Sequence, residues 1–447
     1  MLNKSVELLL PAGDPGKMRY AFAFGADAVY LGIPQFSLRA RENGFTDRAS
    51  VVDAVAYAHR LGKKAYITAN VLPHNHKVES FVKYAGDILQ ACQPDAWIMS
   101  DPGLIMLLNE HFPGQAIHLS VQANTVNYAS AKFWEKLGIR RIILSRELSI
   151  REIKVIKEHC PGIELEAFVH GSICIAYSGR CLISNYLSYR DPNQGTCANA
   201  CRWQYKIFEK QNLQPKEWHE QSASSEVKTT QHGDPYVALA GEYLLEESER
   251  PGEFMPIDED ENGTYLMNAR DLCGIEYLKE LQEAGVCSFK IEGRSKTVFY
   301  VAMTARVYRW AVDAMLAAKP FDPAWMKEVY AASNRGLIAG FLKGNPGHSA
   351  QNYVDGRSQS SGYRFSGVLR GYDAERGLMK VEPRNPFKKG MALEMVRPSD
   401  TVPFTVARIL NEQFNEINET HGGRGCCYVP FDRDPGEFVL FREKMGS

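Results

Sequence analysis

Four cysteines stand close together in a chain that otherwise spreads its thiols thinly. The 447 residues include ten cysteines, and Cys174, Cys181, Cys197 and Cys201 are separated by six, fifteen and three residues. Thiolates are soft ligands that suit zinc or an iron–sulfur cluster. Structural zinc sites favour cysteines about two to four residues apart in two pairs, and only Cys197 and Cys201 would form one. The spacing leaves three interpretations open: an iron–sulfur cluster, a zinc site, and buried cysteines without a metal.

The composition indicates an ordinary globular protein. Apolar residues make up 45% and charged residues 23%, and the formal net charge is −1, which excludes an overall basic field for nucleic acid. No stretch approaches the roughly 18 apolar residues of a membrane span, and the N-terminal stretch lacks the features of a signal peptide. We therefore expect a cytoplasmic protein with no membrane partner, in which clustered cysteines are ligands or catalytic groups rather than disulfides.

Short apolar runs alternate with amphipathic helical stretches over roughly the first 300 residues. This order predicts a parallel sheet, and about eight strands predict a (β/α)₈-type barrel. The predicted strands are Val6–Leu10, Ala28–Ile33, Ala65–Val71, Ala96–Ser100, Ile117–Gln122, Arg141–Leu144, Leu165–Val169 and Ser288–Glu292.

Two segments do not follow this alternation of strands and helices. A polar stretch at about 208–264 includes a run of nine acids and one arginine, typical of an acidic insertion between the seventh and eighth barrel units. From residue 360 short alternating runs predict a small all-β domain. The predicted division is a barrel-like catalytic domain at 1–335, a linker at 336–359 and a small β-barrel at 360–447.

A barrel places its chemistry at the carboxyl ends of its strands, although many polar residues there only cap the next helix. The strand-end residues with catalytic or ligand-binding side chains are His118, Arg146, His170, Lys290, Glu292 and Arg294. The basic groups could bind carboxylates, and the histidines could transfer protons near neutral pH. Lys290 and Glu292 could instead form a structural ion pair on one strand face.

The motif "HGSICIAYSGRCLISNYLSYRDPNQGTCANACRWQY" resembles the signature of the collagenase-like peptidase superfamily. The stretches "LLLPAGD", "GADAVYLG", "HLSVQANTVN" and "FKIEGRSKTVFYVA" resemble that family in the same order, and the similarity covers essentially the whole chain. Within the family, the length and the acidic insertion are most similar to the tRNA 5-hydroxyuridine hydroxylation proteins.

The resemblance implies a function. It implies oxygen-independent hydroxylation of the wobble uridine of tRNA at C5, with prephenate as co-substrate and an electron donor that the sequence does not identify. It also implies an iron–sulfur cluster of the 4Fe–4S type. Cys174, Cys181 and Cys197 match the first three ligands of relatives, Cys201 fits the fourth by proximity, and Cys273 is the alternative fourth ligand. Arg146, Lys290 and Arg294 would then bind the two carboxylates of prephenate.

Alternatives to this function come from other classes. Relatives hydroxylate ribosomal RNA or a quinone precursor, and the family name suggests a peptidase. The peptidase patterns HExxH and GxSxG are absent, and thiolates bound to iron are not available as nucleophiles. A non-catalytic cluster or scaffold protein is the third class.

The C-terminal domain carries the sequence's one signal for RNA binding. Its basic residues could contact phosphates, and its aromatic residues could stack on unpaired bases, although a solvated surface has the same composition. The residues are Arg364, Arg370, Arg376, Lys380, Arg384, Lys388 and Lys389, with Tyr363, Phe365, Tyr372 and Phe387.

Overall fold

The structure is a computed structural model that describes most of the chain. The described residues are 6–38, 43–174, 176–177, 180–181, 184, 190–197, 270–332, 336–344, 362–423 and 425–445, together with the backbone of five short strands between 227 and 265. Cys201 and most of the predicted insertion lie outside them.

Eight parallel strands close into a barrel. The first seven pair in chain order: β1 (Glu7–Ala12), β2 (Ala28–Gly32), β3 (Lys64–Ala69), β4 (Ala96–Met99), β5 (Ile117–Leu119), β6 (Arg141–Ile143) and β7 (Glu164–Gly171). The insertion contributes short strands β8 (Val227–Thr229), β9 (Pro235–Val237), β10 (Tyr243–Glu246), β11 (Phe254–Asp260) and β12 (Gly263–Tyr265). After β13 (Asp271–Cys273), strand β14 (Val286–Ile291) pairs with both β7 and β1. The predicted (β/α)₈-type barrel is confirmed.

Helices follow most of the barrel strands and cover them from outside. They are α1 (Pro15–Ala23), α2 (Arg48–Arg60), α3 (Asn75–Ala91), α4 (Pro102–His111), α5 (Tyr128–Lys136), α6 (Ile150–His159), α7 (Leu278–Glu283), α8 (Val298–Leu316) and α9 (Trp325–Ala331). Side-chain caps set several of their starts. Asp14 accepts from Lys17 N at 2.8 Å and Asp101 from Leu104 N at 2.9 Å. These two strand-end acids are therefore helix caps.

Two short strands extend the barrel sheet beyond the sequence prediction. Strand β13 runs antiparallel to the end of β7, with Cys273 opposite His170. Strand β15 (Leu337–Ile338) then pairs with β13 in parallel. Because β15 lies in the segment predicted as a linker, part of that segment belongs to the barrel sheet.

The C-terminal domain is an antiparallel sheet of eight strands, which confirms the predicted all-β class. A separate apolar core, including Met379, Phe387 and Phe441, fills it. The strands are β16 (Tyr363–Asp373), β17 (Leu378–Pro383), β18 (Ala392–Val396), β19 (Thr401–Thr405), β20 (Ile409–Leu410), β21 (Glu416–Ile417), β22 (Cys427–Pro430) and β23 (Leu440–Lys444).

A buried ionic contact fixes this domain to the outside of the barrel. Glu328 of α9 accepts from Arg306 of α8 at 3.2 Å and from Arg442 of β23 at 2.7 Å, and both arginine side chains are only 2% exposed. Nearby, Phe299 of α8 stacks on Phe365 of β16 with centroids 5.1 Å apart. Buried ion pairs and stacked aromatic rings therefore join the two domains.

We expect Glu328→Gln to destabilise the protein by about 3 kcal/mol, since it leaves the buried Arg306 guanidinium without a carboxylate while Arg442 keeps Glu394 at 2.7 Å. Denaturant unfolding of the full chain measures the change. Glu382→Gln is the matched control because its partner Arg370 is 43% exposed, and such a pair contributes about 1 kcal/mol or less. Equal free energies of unfolding for the two variants would contradict a structural role for Glu328.

Candidate active site

The barrel lumen is lined by polar side chains where barrels of this class usually carry branched apolar ones. Alternate residues of each strand point inward, and the register brings those of neighbouring strands together. All but the first of this inward polar set are buried: Glu7, Tyr30, Tyr66, Thr68, His118, Arg141, Glu166, Ser288 and Lys290. A buried set of this kind must satisfy its charges internally.

A chain of ion pairs provides that satisfaction. Arg141 Nη1 lies 2.6 Å from Glu7 and 3.2 Å from Glu166, and Lys290 Nζ lies 2.8 Å from Glu166. Ser288 Oγ donates to Glu7 at 2.9 Å. Burial lowers the pKa of Lys290 from its ordinary value, and the Glu166 carboxylate opposes that shift. Glu164 lies 2.7 Å from Arg141 Nη2, and Lys64 Nζ lies 3.5 Å from Glu7. Three carboxylates and three cations thus form a neutral network that anchors Lys290 within the lumen.

Lys290 and Arg146 meet on the ring of Phe168. Lys290 Nζ lies 5.6 Å from that ring centroid and 4.2 Å from the centroid of Tyr30, and Arg146 Cζ lies 3.7 Å from the Phe168 centroid. Aromatic faces hold cations at such distances without neutralising them. Two of the predicted carboxylate-binding residues are therefore neighbours.

Glu292 is not the ionic partner of Lys290. The register of β14 against β7 shifts between Lys290 and Ile291, and the side chain that pairs with Lys290 is Glu166 of β7. Glu292 instead accepts a long hydrogen bond of 3.4 Å from Ser172 N, just after β7. The ion pair that the sequence suggested on one strand is thus formed between two strands.

Arg294 supports the loop that follows β2. Its Nη1 donates to Ser37 Oγ and to Thr68 Oγ1, both at 3.1 Å, and its Nη2 donates to the Leu38 carbonyl. A Cβ at Gly32 would lie 2.4 Å from Arg294 Nη1, so only glycine lets the guanidinium approach this strand end. Arg294 therefore has a structural role at the rim of the barrel, where it holds the loop after β2.

His118 lies inside the lumen rather than at its mouth. Its ring meets Tyr66 edge-on with centroids 4.8 Å apart, and its Nδ1 is buried without a hydrogen-bond partner among the described residues. Burial, together with the positive charges of Arg141 and Lys290, holds the pKa of His118 well below its usual value. The imidazole is therefore neutral at neutral pH.

His170 faces the outside of the barrel wall. Its ring lies between Tyr300 and Tyr308 of α8, with centroids 5.8 and 5.4 Å away, and its Nδ1 is 3.3 Å from Tyr308 Oη. Burial lowers the pKa of His170 to about 3. The shift in register that separates Lys290 from Ile291 turns His170 toward the helix. Proton transfer by His118 and His170 remains a prediction, and neither imidazole faces the mouth.

Described residues of the segment with the clustered cysteines contact loops at the carboxyl-terminal mouth. Strand β7 ends at Gly171, whose φ of +112° favours glycine and starts the turn into this segment. Further along it, the Asn193 carbonyl accepts from Leu72 N after β3 at 3.3 Å, and Arg180 Nε donates to Asn124 Oδ1 after β5 at 3.2 Å. The cysteine segment is thus tied to loops on the far side of the barrel.

Hydrogen bonds to main-chain carbonyls hold two of the cysteines in place. Asn193 Nδ2 donates to the Cys181 carbonyl at 3.3 Å, and Arg190 Nη2 donates to the Cys197 carbonyl at 3.4 Å. Cys174 is exposed, and Cys181 and Cys197 are half-buried. These three thiols fit the soft donor set of an iron–sulfur cluster. Within the described residues no three side chains of His, Cys, Asp or Glu form a metal-binding group.

Cys273 has a different environment. It is buried, and its Sγ lies 3.8 Å from Tyr308 Oη on the side of the wall that faces α8. Burial raises the pKa of its thiol. Cys273 packs against α8, whereas Cys174 and Cys181 belong to the segment that follows β7.

Sequence reasoning missed the partners on which Lys290 depends. Glu7, Arg141 and Glu166 lie within strands rather than after them, so a search of strand ends passes over them. The signal was present: "ELEAFVHG" places Glu166 at an inward position of a predicted strand, and a fully buried carboxylate requires cations.

The C-terminal basic residues are largely engaged with acids. Lys389 pairs with Glu416 at 2.9 Å, and the other pairs are Arg364–Glu443, Arg370–Glu382, Arg376–Asp373, Arg384–Glu382 and Lys388–Glu419. Phe387 is 1% exposed in the domain core, and Phe365 stacks on Phe299. The prediction of base stacking by Phe387 is therefore wrong, because its ring is enclosed by the sheet.

Comparison with known proteins agrees with this barrel and its appended sheet. The chain matches Peptidase family U32 over residues 13–352 and the Peptidase family U32 C-terminal domain over residues 361–442. It belongs to this family, and the resemblance seen in its motifs is confirmed.

Several relatives of the chain carry names that refer to RNA. It is 46% identical to tRNA hydroxylation protein P of Haemophilus influenzae, covering 99% of this chain and 97% of the relative. It is 44% identical to tRNA hydroxylation protein P of Escherichia coli, covering 96% and 94%. A 23S rRNA 5-hydroxycytidine synthase of Escherichia coli is 31% identical over 70% of this chain and 40% of that protein.

Among the described residues, no helix combines the length and the apolar character needed to cross a membrane. The longest described helix, α8, has 19 residues and is buried between the barrel and the C-terminal domain.

Proposed function

We propose that this protein is an enzyme that hydroxylates tRNA, with its chemistry at the carboxyl-terminal mouth of the barrel. The observation that carries the proposal is that Lys290 and Arg146 both contact Phe168 of β7, the strand whose carboxyl end leads into the segment with the clustered cysteines. The names of relatives that span the whole chain support the choice of RNA as substrate.

The finer proposal is hydroxylation at C5 of the wobble uridine without molecular oxygen and with prephenate as co-substrate. A dicarboxylate needs cationic hydrogen-bond donors that can reach its oxygens. Arg146 has no acidic partner among the described residues and rests on Phe168, and Lys290 shares its single partner Glu166 with Arg141. These two cations bind and orient the carboxylates, and Arg294 shapes the rim through Ser37 and Thr68.

Cys174, Cys181, Cys197 and Cys201 would hold an iron–sulfur cluster, which supplies single electrons or a Lewis acid when bound. The protein's own contribution is orientation. Asn193 and Arg190 donate hydrogen bonds to the carbonyls of Cys181 and Cys197. These bonds fix the main chain that carries the two thiols. The electron donor is an external partner of this site.

A peptidase activity, which the family name suggests, has less support than tRNA hydroxylation. Cysteine or serine peptidases pair their nucleophile with a histidine. His170 Nδ1 faces Tyr308 Oη, and His118 Nδ1 has no hydrogen-bond partner among the described residues, so neither Nδ1 is paired with a cysteine or serine there.

Deleting the gene is expected to remove the hydroxylated wobble nucleoside from total tRNA digests analysed by mass spectrometry. The wild-type gene should restore it. Unchanged tRNA nucleosides with loss of a hydroxylated ribosomal nucleoside would move the activity to another RNA. Unchanged nucleosides in both RNAs would contradict the proposal.

A further inference from the structure

We propose that the outer face of α5 and α6, rather than the C-terminal domain, is the surface on which RNA docks. This inference rests on the proposed function, since it concerns how the RNA substrate reaches the mouth. The two helices pack side by side, and Tyr128 at the start of α5 stacks on His159 at the end of α6, with centroids 4.1 Å apart and planes at 17°. Their exposed sides therefore form one continuous surface.

This surface carries cations without acidic partners in the described part of the chain. Four exposed basic residues of the two helices have no carboxylate within ion-pair distance among the described residues: Lys132, Lys136, Arg151 and Lys154. Of the acids on α6, Glu152 is engaged in the capping box with Ser149, and Glu158 remains exposed. The C-terminal domain differs, because six of its seven predicted phosphate-binding residues already pair with acids. A cation without an acidic partner can neutralise an RNA phosphate and release the counterions bound there, which favours binding.

The same surface exposes flat or apolar groups. Phe133 is 55% exposed and Tyr128 is 41% exposed, and Lys132 Nζ lies 5.6 Å from the Tyr128 centroid. Along the end of α5 and its C-cap residue, the exposed residues Lys132, Phe133, Lys136 and Leu137 alternate between cationic and apolar. Basic groups interleaved with exposed rings suit an RNA loop whose bases are unstacked. A protein interface would be depleted in lysine at its centre, which favours RNA as the occupant.

The surface also leads to the site. Helix α5 begins four residues after Asn124, and Asn124 accepts from Arg180 of the cysteine segment at 3.2 Å. RNA lying across α5 and α6 could therefore continue along the β5–α5 loop to the mouth, where Lys290 and Arg146 lie. The C-terminal domain is fixed instead against α8 and α9 through Glu328.

Binding of an unmodified tRNA transcript by the full-length protein, measured over a series of salt concentrations, tests the inference. The variant combines Lys132→Glu, Lys136→Glu and Lys154→Glu. The matched control combines Lys380→Glu, Lys388→Glu and Lys389→Glu, so the two variants carry the same net charge. We expect the first to weaken binding more than tenfold and to reduce the salt slope by about two to three, because each lost phosphate contact removes about 0.7–0.9. We expect the control to bind within about threefold of wild type.

Phe133→Ser separates RNA docking from a protein interface. We expect this variant to weaken tRNA binding about tenfold, as loss of one stacked base does, and to leave the molar mass in solution unchanged. Wild-type binding by the triple α5–α6 variant, or equal loss in the C-terminal control, would overturn the docking surface alone. A change in oligomeric state with unchanged tRNA binding would assign the surface to a protein partner and overturn it as well. If the wild-type protein neither binds nor modifies tRNA, the proposed function fails together with it.

Discussion

Serine at any one of Cys174, Cys181, Cys197 and Cys201 is expected to remove the iron–sulfur cluster from anaerobically purified protein. The wild-type chain should contain about four iron atoms and a visible absorption band, as a 4Fe–4S cluster does, and each variant should lose most of both. The physical reason is that a hydroxyl is a hard, weakly acidic ligand that does not replace a thiolate on iron. Iron and sulfide analysis measures the loss.

The scattered cysteines supply matched controls for this experiment. Cys92 and Cys426 are half-buried like Cys181 and Cys197, and Cys92→Ser and Cys426→Ser should retain full iron content. Cys273→Ser tests the fourth ligand: we expect it to keep its iron, because its Sγ packs against Tyr308. Loss of iron in Cys273→Ser with full iron in Cys201→Ser would reassign that ligand. Stoichiometric zinc without iron in the wild type would contradict the cluster.

Arg146→Met is expected to reduce hydroxylation of tRNA by about ten- to more than a hundredfold while leaving iron content and folding unchanged. The Arg146 guanidinium lies over the ring face of Phe168 and has no acidic partner among the described residues. Removing its charge therefore leaves no buried carboxylate without a cation. Losing a charge-assisted contact to a bound carboxylate costs about 1.5–3 kcal/mol or more, and misplacement of the co-substrate adds to it. The measurement is the rate of nucleoside hydroxylation as the dicarboxylate concentration is varied.

Lys290→Met gives the second half of this test. Lys290 is 3% exposed and bonds to the fully buried Glu166, so this variant is expected to lose hydroxylation and also some stability. The remaining contact of Glu166 with Arg141 limits the loss of stability. Normal hydroxylation rates in both Arg146→Met and Lys290→Met would exclude the carboxylate site. Loss of soluble protein for Lys290→Met, with full activity for Arg146→Met, would make Lys290 purely structural.

The alternation of strands and helices was predictable because each rests on a local pattern. Runs such as Ala28–Gly32 are buried on both faces, which gives nearly continuous apolar strands, and Asp14 and Asp101 mark the helix starts that follow. Short strands such as β13 and β15 were not predictable. They have two or three residues and exist because they pair with the end of β7 and with each other, far apart in sequence.

The candidate site was predictable only in part, for a similar reason. Arg146 and Lys290 were found because they follow or end a predicted strand, and the structure places both on Phe168. The partner of Lys290 was not found, because Glu166 becomes its neighbour only when β7 and β14 close the barrel. His170 was placed at the mouth by its position in sequence, and one shift in register turned its ring toward α8.

The class of fold and the four clustered thiols follow from periodicity and spacing along the chain, and the family follows from motifs that can be recognised in the sequence. Which charges neutralise one another depends on how the chain folds. Folding buries Glu166 between Arg141 and Lys290 and pairs six basic residues of the C-terminal domain with acids. It leaves the cations of α5 and α6 without acidic partners among the described residues. The physical reason is that electrostatic energy depends on distance and burial, which are set by the closing of the barrel and not by separation in sequence.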